Sequence, residues 1–288
     1  MNIAALVGIV TYNPDIERLN DNIKAIILQI ENVIIVDNGS NNINMIHKCI
    51  DPYKDKIKII TFNKNKGIAS ALRKIMEYAN MKKFEWVMTL DQDSIIESGL
   101  VSAYYKAALD INNSQVGMFT CLIKDRNFVD EKYEKQNTEY MDVPYCITSA
   151  SFTNVAKYFE TPGYDPAFFI DCVDFDICYL LKEAGFKITR INYVGLYHEV
   201  GHGENRYFFW KKIVVYHQIP LRIYYLTRNT IWMHKKHKKK FSKKLMLKKL
   251  ISVFLKIVLY EDNKNTKLRS FVRGIKDSNL GGFISNEN

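Results

Sequence analysis

What this chain lacks narrows its class before any motif is read. No apolar run in its 288 residues approaches the ~20 that a membrane span requires. The five cysteines, Cys49, Cys121, Cys146, Cys172 and Cys178, are odd in number, scattered and never spaced C-x-x-C. That argues against a disulfide framework or a zinc site and points to a reducing cytosol. The amino terminus, Met1-Asn2-Ile3-Ala4-Ala5-Leu6, lacks the basic region of a signal peptide and reads as a first strand. There is no internal repeat and no low-complexity linker. What is present is ordinary: 47% hydrophobic residues supply ample core for one large α/β domain, or one domain plus an appendage.

Acid is missing from one stretch only. Between Glu204 and Glu261 there is no Asp or Glu, yet fifteen of the 41 Lys and Arg fall there. The net charge of +10 is therefore local, because the rest of the chain holds 26 basic against 31 acidic residues. Within this stretch, Lys235-Lys236-His237-Lys238-Lys239-Lys240 precedes a segment, 241–260, that projects as a helix. Met246, Leu247, Leu250, Ile251, Val253, Phe254, Ile257 and Val258 form its apolar face, with Lys244, Lys248, Lys249 and Lys256 opposite. Two readings stay open: a helix lying on an anionic membrane surface, or one packed on the rest of the protein with a solvated lysine face. Nucleic acid is not expected, since no nucleic-acid motif accompanies the lysines and acidic strand ends repel a phosphate backbone.

The first third alternates as successive βα units. Strands are expected at 3–12, 32–36, 57–62 and 85–90, with helices at 16–30 and 67–81 between them. A helix near 98–110, a strand at 116–122 and a helix at 173–184 follow, the last stopped by Gly185. Residues 124–142 read as a charged surface loop. In such a sheet, ligands bind beyond the carboxyl ends of the strands.

Polar groups sit at four of those ends: Thr11-Tyr12-Asn13-Pro14, Asp37-Asn38-Gly39-Ser40, Asn63-Lys64-Asn65-Lys66-Gly67 and Asp91-Gln92-Asp93. The last is the most telling. Side chains one residue apart on an extended segment point the same way, and two carboxylates aimed at one point repel unless a cation or a hydrogen-bonding ligand lies between them. Hard oxygen ligands suit Mg²⁺ or Mn²⁺, which in turn hold phosphates. Each loop alone is also plain turn chemistry.

These motifs, in this order, resemble family 2 glycosyltransferases. Thr148-Ser149-Ala150-Ser151, Phe168-Phe169-Ile170-Asp171-Cys172-Val173-Asp174 and Leu196-Tyr197-His198-Glu199-Val200-Gly201 are similar to the rhamnosyltransferase branch. The resemblance implies a GT-A type fold, a Rossmann-like mixed sheet flanked by helices, over residues 1–228, with a basic helical appendage at 229–288. It implies Thr11, Tyr12, Asn13, Asn38 and Gln92 around a nucleotide, Asp37 on its base, Asn65 and Gly67 lining it, and Asp91 near the ribose. Asp93 and His198 are implied as metal ligands, Ser149, Ala150 and Ser151 as the acceptor side, and Asp174 as the catalytic base with Asp171 as orienter or alternative base. Glycine is common in the family where Ala150 stands here, and an arginine where Leu180 stands.

The implied reaction is metal-dependent transfer with inversion, using Mn²⁺ or Mg²⁺. Its donor is dTDP-L-rhamnose, or more broadly a dTDP- or UDP-sugar, and its acceptor a glycan or glycolipid, lipid-linked or a growing cell-surface polysaccharide. The implied place is cytoplasmic, peripheral at the inner face of a bacterial membrane. A sugar nucleotidyltransferase is the rival enzyme, but it normally carries a Gly-rich basic loop after the first strand, which Thr11-Tyr12-Asn13-Pro14 is not. A non-enzymatic basic adaptor leaves the ordered polar strand ends unexplained.

Overall fold

A computed structural model describes residues 3–110, 115–125, 138–198, 203–208 and 210–280. The βα alternation resolves as β1 (Ala5–Thr11), α1 (Ile16–Ile27), β2 (Val33–Asp37), α2 (Ile43–Ile50), β3 (Ile57–Thr61), α3 (Ile68–Met81) and β4 (Trp86–Asp91). There follow β5 (Ile95–Ile96), α4 (Leu100–Asp110), β6 (Val116–Asp125), β7 (Tyr140–Asp142), β8 (Ser151–Asn154) and α5 (Val155–Phe159). Then come α6 (Val173–Glu183), β9 (Lys187–His198), the hairpin β10 (Glu204–Phe208) and β11 (Lys211–Val215), α7 (Pro220–Lys236), α8 (Lys243–Leu259) and α9 (Lys264–Asp277).

The main sheet runs β3-β2-β1-β4-β8-β6-β9-β5, with β7 on β9. Strands β1 to β4 pair in parallel, and β8 enters antiparallel between β4 and β6, so the sheet is mixed as expected. Period-two alternation divides its core. Leu6, Val10, Ile34, Val36 and Val87 lie on the α3 face, in one core with residues of α6, α7 and α8, whereas Val7, Ile9, Val33, Ile35, Met88 and Leu90 share the other core with residues of α1 and α4. Gly8 lies where α3 packs close; a Cβ there would overlap the Ile75 side chain.

Two expectations shift. Within the segment read as a surface loop, β7 pairs with β9 at 140–142, and residues 126–137 lie outside those described. The boundary expected between 228 and 229 falls inside α7, which runs unbroken across it and buries Ile223 and Thr227 on one side and Asn229, Thr230, Trp232 and Met233 on the other. Part of the basic stretch also turns inward. The Lys236 ammonium bonds Asp176 at 2.9 Å and lies 3.5 Å from Asp165, and the buried His237 ring places one nitrogen on Asp176 and the other on Glu183. Asp176, in the first turn of α6, is thus a structural anchor for α7.

Candidate active site at the carboxyl edge of the sheet

Parallel register brings the four polar strand ends level. Thr11 pairs with Asp37, Asp37 with Thr61, and Val10 with Asp91. Asp91, Gln92 and Asp93 leave β4 partly exposed at this edge. Gln92 accepts the Tyr12 amide hydrogen at 2.8 Å, tying the β4 turn to the loop after β1, where Tyr12 stands 44% exposed. Asn13, at φ 45°, receives the Asn41 amide on its side-chain oxygen, and its own amide donates to the Ser40 hydroxyl.

Asp37, expected on the base, is held by the loops around it. It is wholly buried, and its two oxygens accept from the Thr11 hydroxyl, the Ser40 hydroxyl and the Gly39 and Ser40 amides. A carboxylate has about four lone-pair positions, and here all are taken by the protein. Asp37 shapes the loop; a base would have to break that set to reach it. Asn38, also nearly buried, donates to Asn65 at 2.9 Å and accepts the Lys66 amide at 2.8 Å. Asn65 in turn accepts the Gly67 amide, so the loops after β2 and β3 form one polar floor. The acceptor-side expectation also changes. Ala150 and Ser151 are fully buried, with the Ala150 amide on Thr89, its carbonyl accepting from Tyr104, and the Ser151 hydroxyl on Thr148. Ala150 sits at φ 58°, where glycine is the unstrained residue. Only Ser149 reaches the acids, accepting the Asp91 amide hydrogen at 3.2 Å.

The second half of the site arrives with the loop before α6. Asp174, in the first turn of α6, accepts the Thr148 hydroxyl at 2.8 Å and the Thr148 amide at 3.3 Å on one oxygen. This brings it near the β4 acids. Burial first, then repulsion from Asp174 and Asp93, pushes the Asp91 carboxyl up to about 7, while Arg222 and the Ser149 hydroxyl pull the other way. Asp171 is nearly buried at φ 64°; the Arg222 guanidinium donates to one of its oxygens at 3.2 Å, and the other has no partner among the described residues. Burial raises its carboxyl too, Arg222 opposing. His198 ends β9 in register with Asp125, but its side chain lies outside those described.

Three residues of this loop, Phe169, Asp171 and Cys172, hold positive φ. Two devices support them. Gly67, at φ 86°, lets the loop press against the start of α3, where the Ile68 amide donates to the Phe169 carbonyl at 2.7 Å; a Cβ on Gly67 would lie 2.5 Å from that oxygen. From the other side, buried Asn229 of α7 directs its amide nitrogen at the carbonyls of Phe168, Ile170 and Asp171, at 2.7, 2.7 and 3.0 Å. Arg228 bonds both Asn229 and the Ala167 carbonyl and stacks 3.9 Å over Trp232. In the sequence, 222–229 resembles a family segment expected near the active-site entrance, but nothing there assigns a role to Arg222, Arg228 or Asn229 individually.

The sequence profile described as Glycosyl transferase family 2 matches residues 6–169, more than half of the chain. A dTDP-rhamnosyl transferase RfbF of Shigella flexneri is 27% identical over 249 residues, 82% of each chain. TarS residues 1–349 of S. aureus, solved in complex with UDP-GlcNAc, shares the fold with a TM-score of 0.63 at 13% identity, over 96% of this chain and 80% of that one. The mannosyltransferase PcManGT of Pyrobaculum calidifontis, in complex with GDP-Man and Mn²⁺, does so with a TM-score of 0.60 at 14% identity, over 98% and 76%. The curled mixed sheet is thus of the GT-A type, and the chain belongs to glycosyl transferase family 2 as a rhamnosyltransferase-like glycosyltransferase.

Proposed function

We propose that this glycosyltransferase moves L-rhamnose from dTDP-L-rhamnose to a hydroxyl of a lipid-linked or growing cell-surface polysaccharide, with inversion, at the cytoplasmic side of a bacterial membrane. The observation that carries the chemistry is the convergence of Asp91 and Asp93 from β4 with Asp174 from α6, keyed together through Thr148 and Ser149. Similarity to the dTDP-rhamnosyl transferase of Shigella flexneri supports the choice of donor. The polar floor of Asn38, Asn65 and Gly67, with Tyr12 and Asn13 beside it, is the proposed seat of the nucleotide.

The acids fit a divalent cation. The Asp93 carboxylate makes no hydrogen bond or ion pair among the described residues, and Asp91 is held toward its protonated form by burial and then by the acids around it. Uncompensated hard oxygen donors suit Mg²⁺ or Mn²⁺. Asp93, with His198 as second ligand by the resemblance, would hold the cation, which when bound stabilises charge on a departing diphosphate. The remaining work belongs to the protein. Thr148 fixes one oxygen of Asp174 and so sets its rotamer. As the acceptor oxygen bonds to the anomeric carbon, Asp174 takes the hydroxyl proton. The bond from that carbon to the diphosphate oxygen breaks on the opposite face, giving inversion and free nucleoside diphosphate. Asp171, clamped by Arg222, orients the acceptor beside the base.

Asp174→Asn tests the assignment. Transfer is expected to fall by orders of magnitude while nucleotide binding in the presence of Mn²⁺ persists. Turnover at the normal rate in that variant overturns the base. The donor is tested separately by thermal shift across dTDP- and UDP-sugars, where stabilisation by dTDP-L-rhamnose above the rest is expected. A larger shift with a UDP-sugar overturns the donor but leaves the base standing.

A further inference from the structure

The basic stretch divides in the fold. Lys236 is committed to Asp176 and Asp165, Lys235 bonds the Ser278 carbonyl, and Lys256 reaches the Val214 carbonyl. Six lysines remain at the surface close together in sequence: Lys238, Lys239, Lys240, Lys243, Lys244 and Lys248. Helix α8, which begins among them, buries Met246, Leu250 and Ile257 and packs Leu245 and Val253 beside them against the core. Its remaining leucine, isoleucine, phenylalanine and valine side chains are exposed. Leu247, Ile251, Phe254, Leu255, Val258 and Leu259 are 37–56% exposed.

These exposed residues share one sector of the helix, spaced i, i+4, i+7, i+8, i+11 and i+12 from Leu247. Lys243, Lys244 and Lys248 lie at or beside the amino-terminal end of that sector, and no acid intervenes before Glu261. The stripe continues a helix that packs correctly on its other face, with Ser242 capping the Leu245 amide at 3.2 Å. It is therefore an ordered surface rather than a frayed end. Contiguous exposed apolar patches on an ordered helix mark interaction sites.

We propose that α8 docks on a bilayer surface carrying anionic headgroups, its stripe among the upper acyl chains and its lysines on the headgroups. Charge decides between occupants. A second copy of this chain docking through its own α8 would bring no acid to these lysines, since none lies between Glu204 and Glu261. A nucleic acid would neutralise the lysines but leave the aliphatic stripe in water. An anionic leaflet satisfies both at once. Helix α8 also packs against α7, whose Asn229 and Arg228 hold the loop carrying Asp171, so docking would set the acids at a fixed height over the membrane.

Lipid docking is independent of the transfer reaction and is measured without donor or acceptor. The full chain is sedimented with vesicles of phosphatidylcholine alone and of phosphatidylcholine with phosphatidylglycerol. Partition is expected on the anionic vesicles only, falling as salt rises. Each lysine reversed among Lys243, Lys244 and Lys248 lowers it by at least about fivefold. Leu247→Ser with Ile251→Ser lowers it at unchanged thermal stability, since these side chains are 44% and 56% exposed. Equal partition to both vesicle types overturns the proposal. So does concentration-dependent dimerisation lost in the Leu247/Ile251 variant without vesicle binding, or binding to a DNA duplex without vesicle binding.

Discussion

Replacing Asn229 by Ala removes the side chain that meets three carbonyls of the catalytic loop from behind. Its amide nitrogen carries two hydrogens and serves three buried-side carbonyls, those of Phe168, Ile170 and Asp171. A buried acceptor left without a partner costs about 1–3 kcal/mol, and water entering the vacated space recovers part of that. Loss of two effective bonds is therefore expected to destabilise the protein by about 2–4 kcal/mol. The loop has little of its own to resist with, because Phe169, Asp171 and Cys172 all hold positive φ, at a cost of about 1–3 kcal/mol each. Once released it relaxes away from Gly67, carrying Asp171 and the start of α6 with it. A displacement of about 1 Å at reacting groups costs on the order of a hundredfold in rate. The expected kinetic signature is a fall of that order in kcat, with nucleotide affinity nearly intact, because the floor of Asn38 and Asn65 does not touch Asn229. The assays are initial rates at saturating donor, nucleotide binding by calorimetry and urea unfolding. A variant that loses stability but keeps kcat would show that Asn229 holds the fold and not the geometry of the acids, refuting the reasoning.

Two further outcomes follow from neighbouring groups. Asp91, whose folded pKa of about 7 stands above its ordinary 3.8, binds extra protons in the native state, so its charge costs stability as pH rises from about 4 through 7. Asp91→Asn is therefore expected to stabilise the metal-free protein by on the order of 2–4 kcal/mol near pH 8 while transfer is lost, with no gain near pH 4; urea unfolding at both pH values checks it, and equal effects at the two would sink it. Gly67→Ala forces a Cβ to within 2.5 Å of the Phe169 carbonyl at a φ of 86°. A loss of about 2–5 kcal/mol and a lowered kcat are expected from strain and overpacking together, and wild-type unfolding would refute the close approach.

Much of the fold was legible because local pattern and burial agree. The apolar strands at the start of the chain, the 3.6-residue spacing of Leu19, Ile23 and Ile26, and the polar residues that stop each strand all depend on near neighbours, and the sheet kept them with ends moved by a few residues. Less legible was any element defined by its partner. Strand β8 is four residues whose place between β4 and β6 is set by pairing with Met88 and Phe119. Strand β9 reads as a strand only once β6 lies beside it.

The same division runs through the site. By itself the sequence determined which acids exist and that Asp91 and Asp93 leave a strand together, since one residue's spacing on an extended chain fixes a common direction. It also determined that a basic amphipathic helix follows the catalytic region. Tertiary structure decided what each polar group is free to do. Asp37 and Ser151 carry the residue types of ligand-binding groups, yet partners such as Thr11 and Thr148 use up their hydrogen bonds. Asn229 and Arg228 look like incidental polar residues in a helix, yet they hold the acidic loop, and Lys236 belongs to Asp176 rather than to solvent. The physical reason is that a side chain's chemistry is set by residue type, but its availability is set by which groups the folded chain brings within about 3 Å of it.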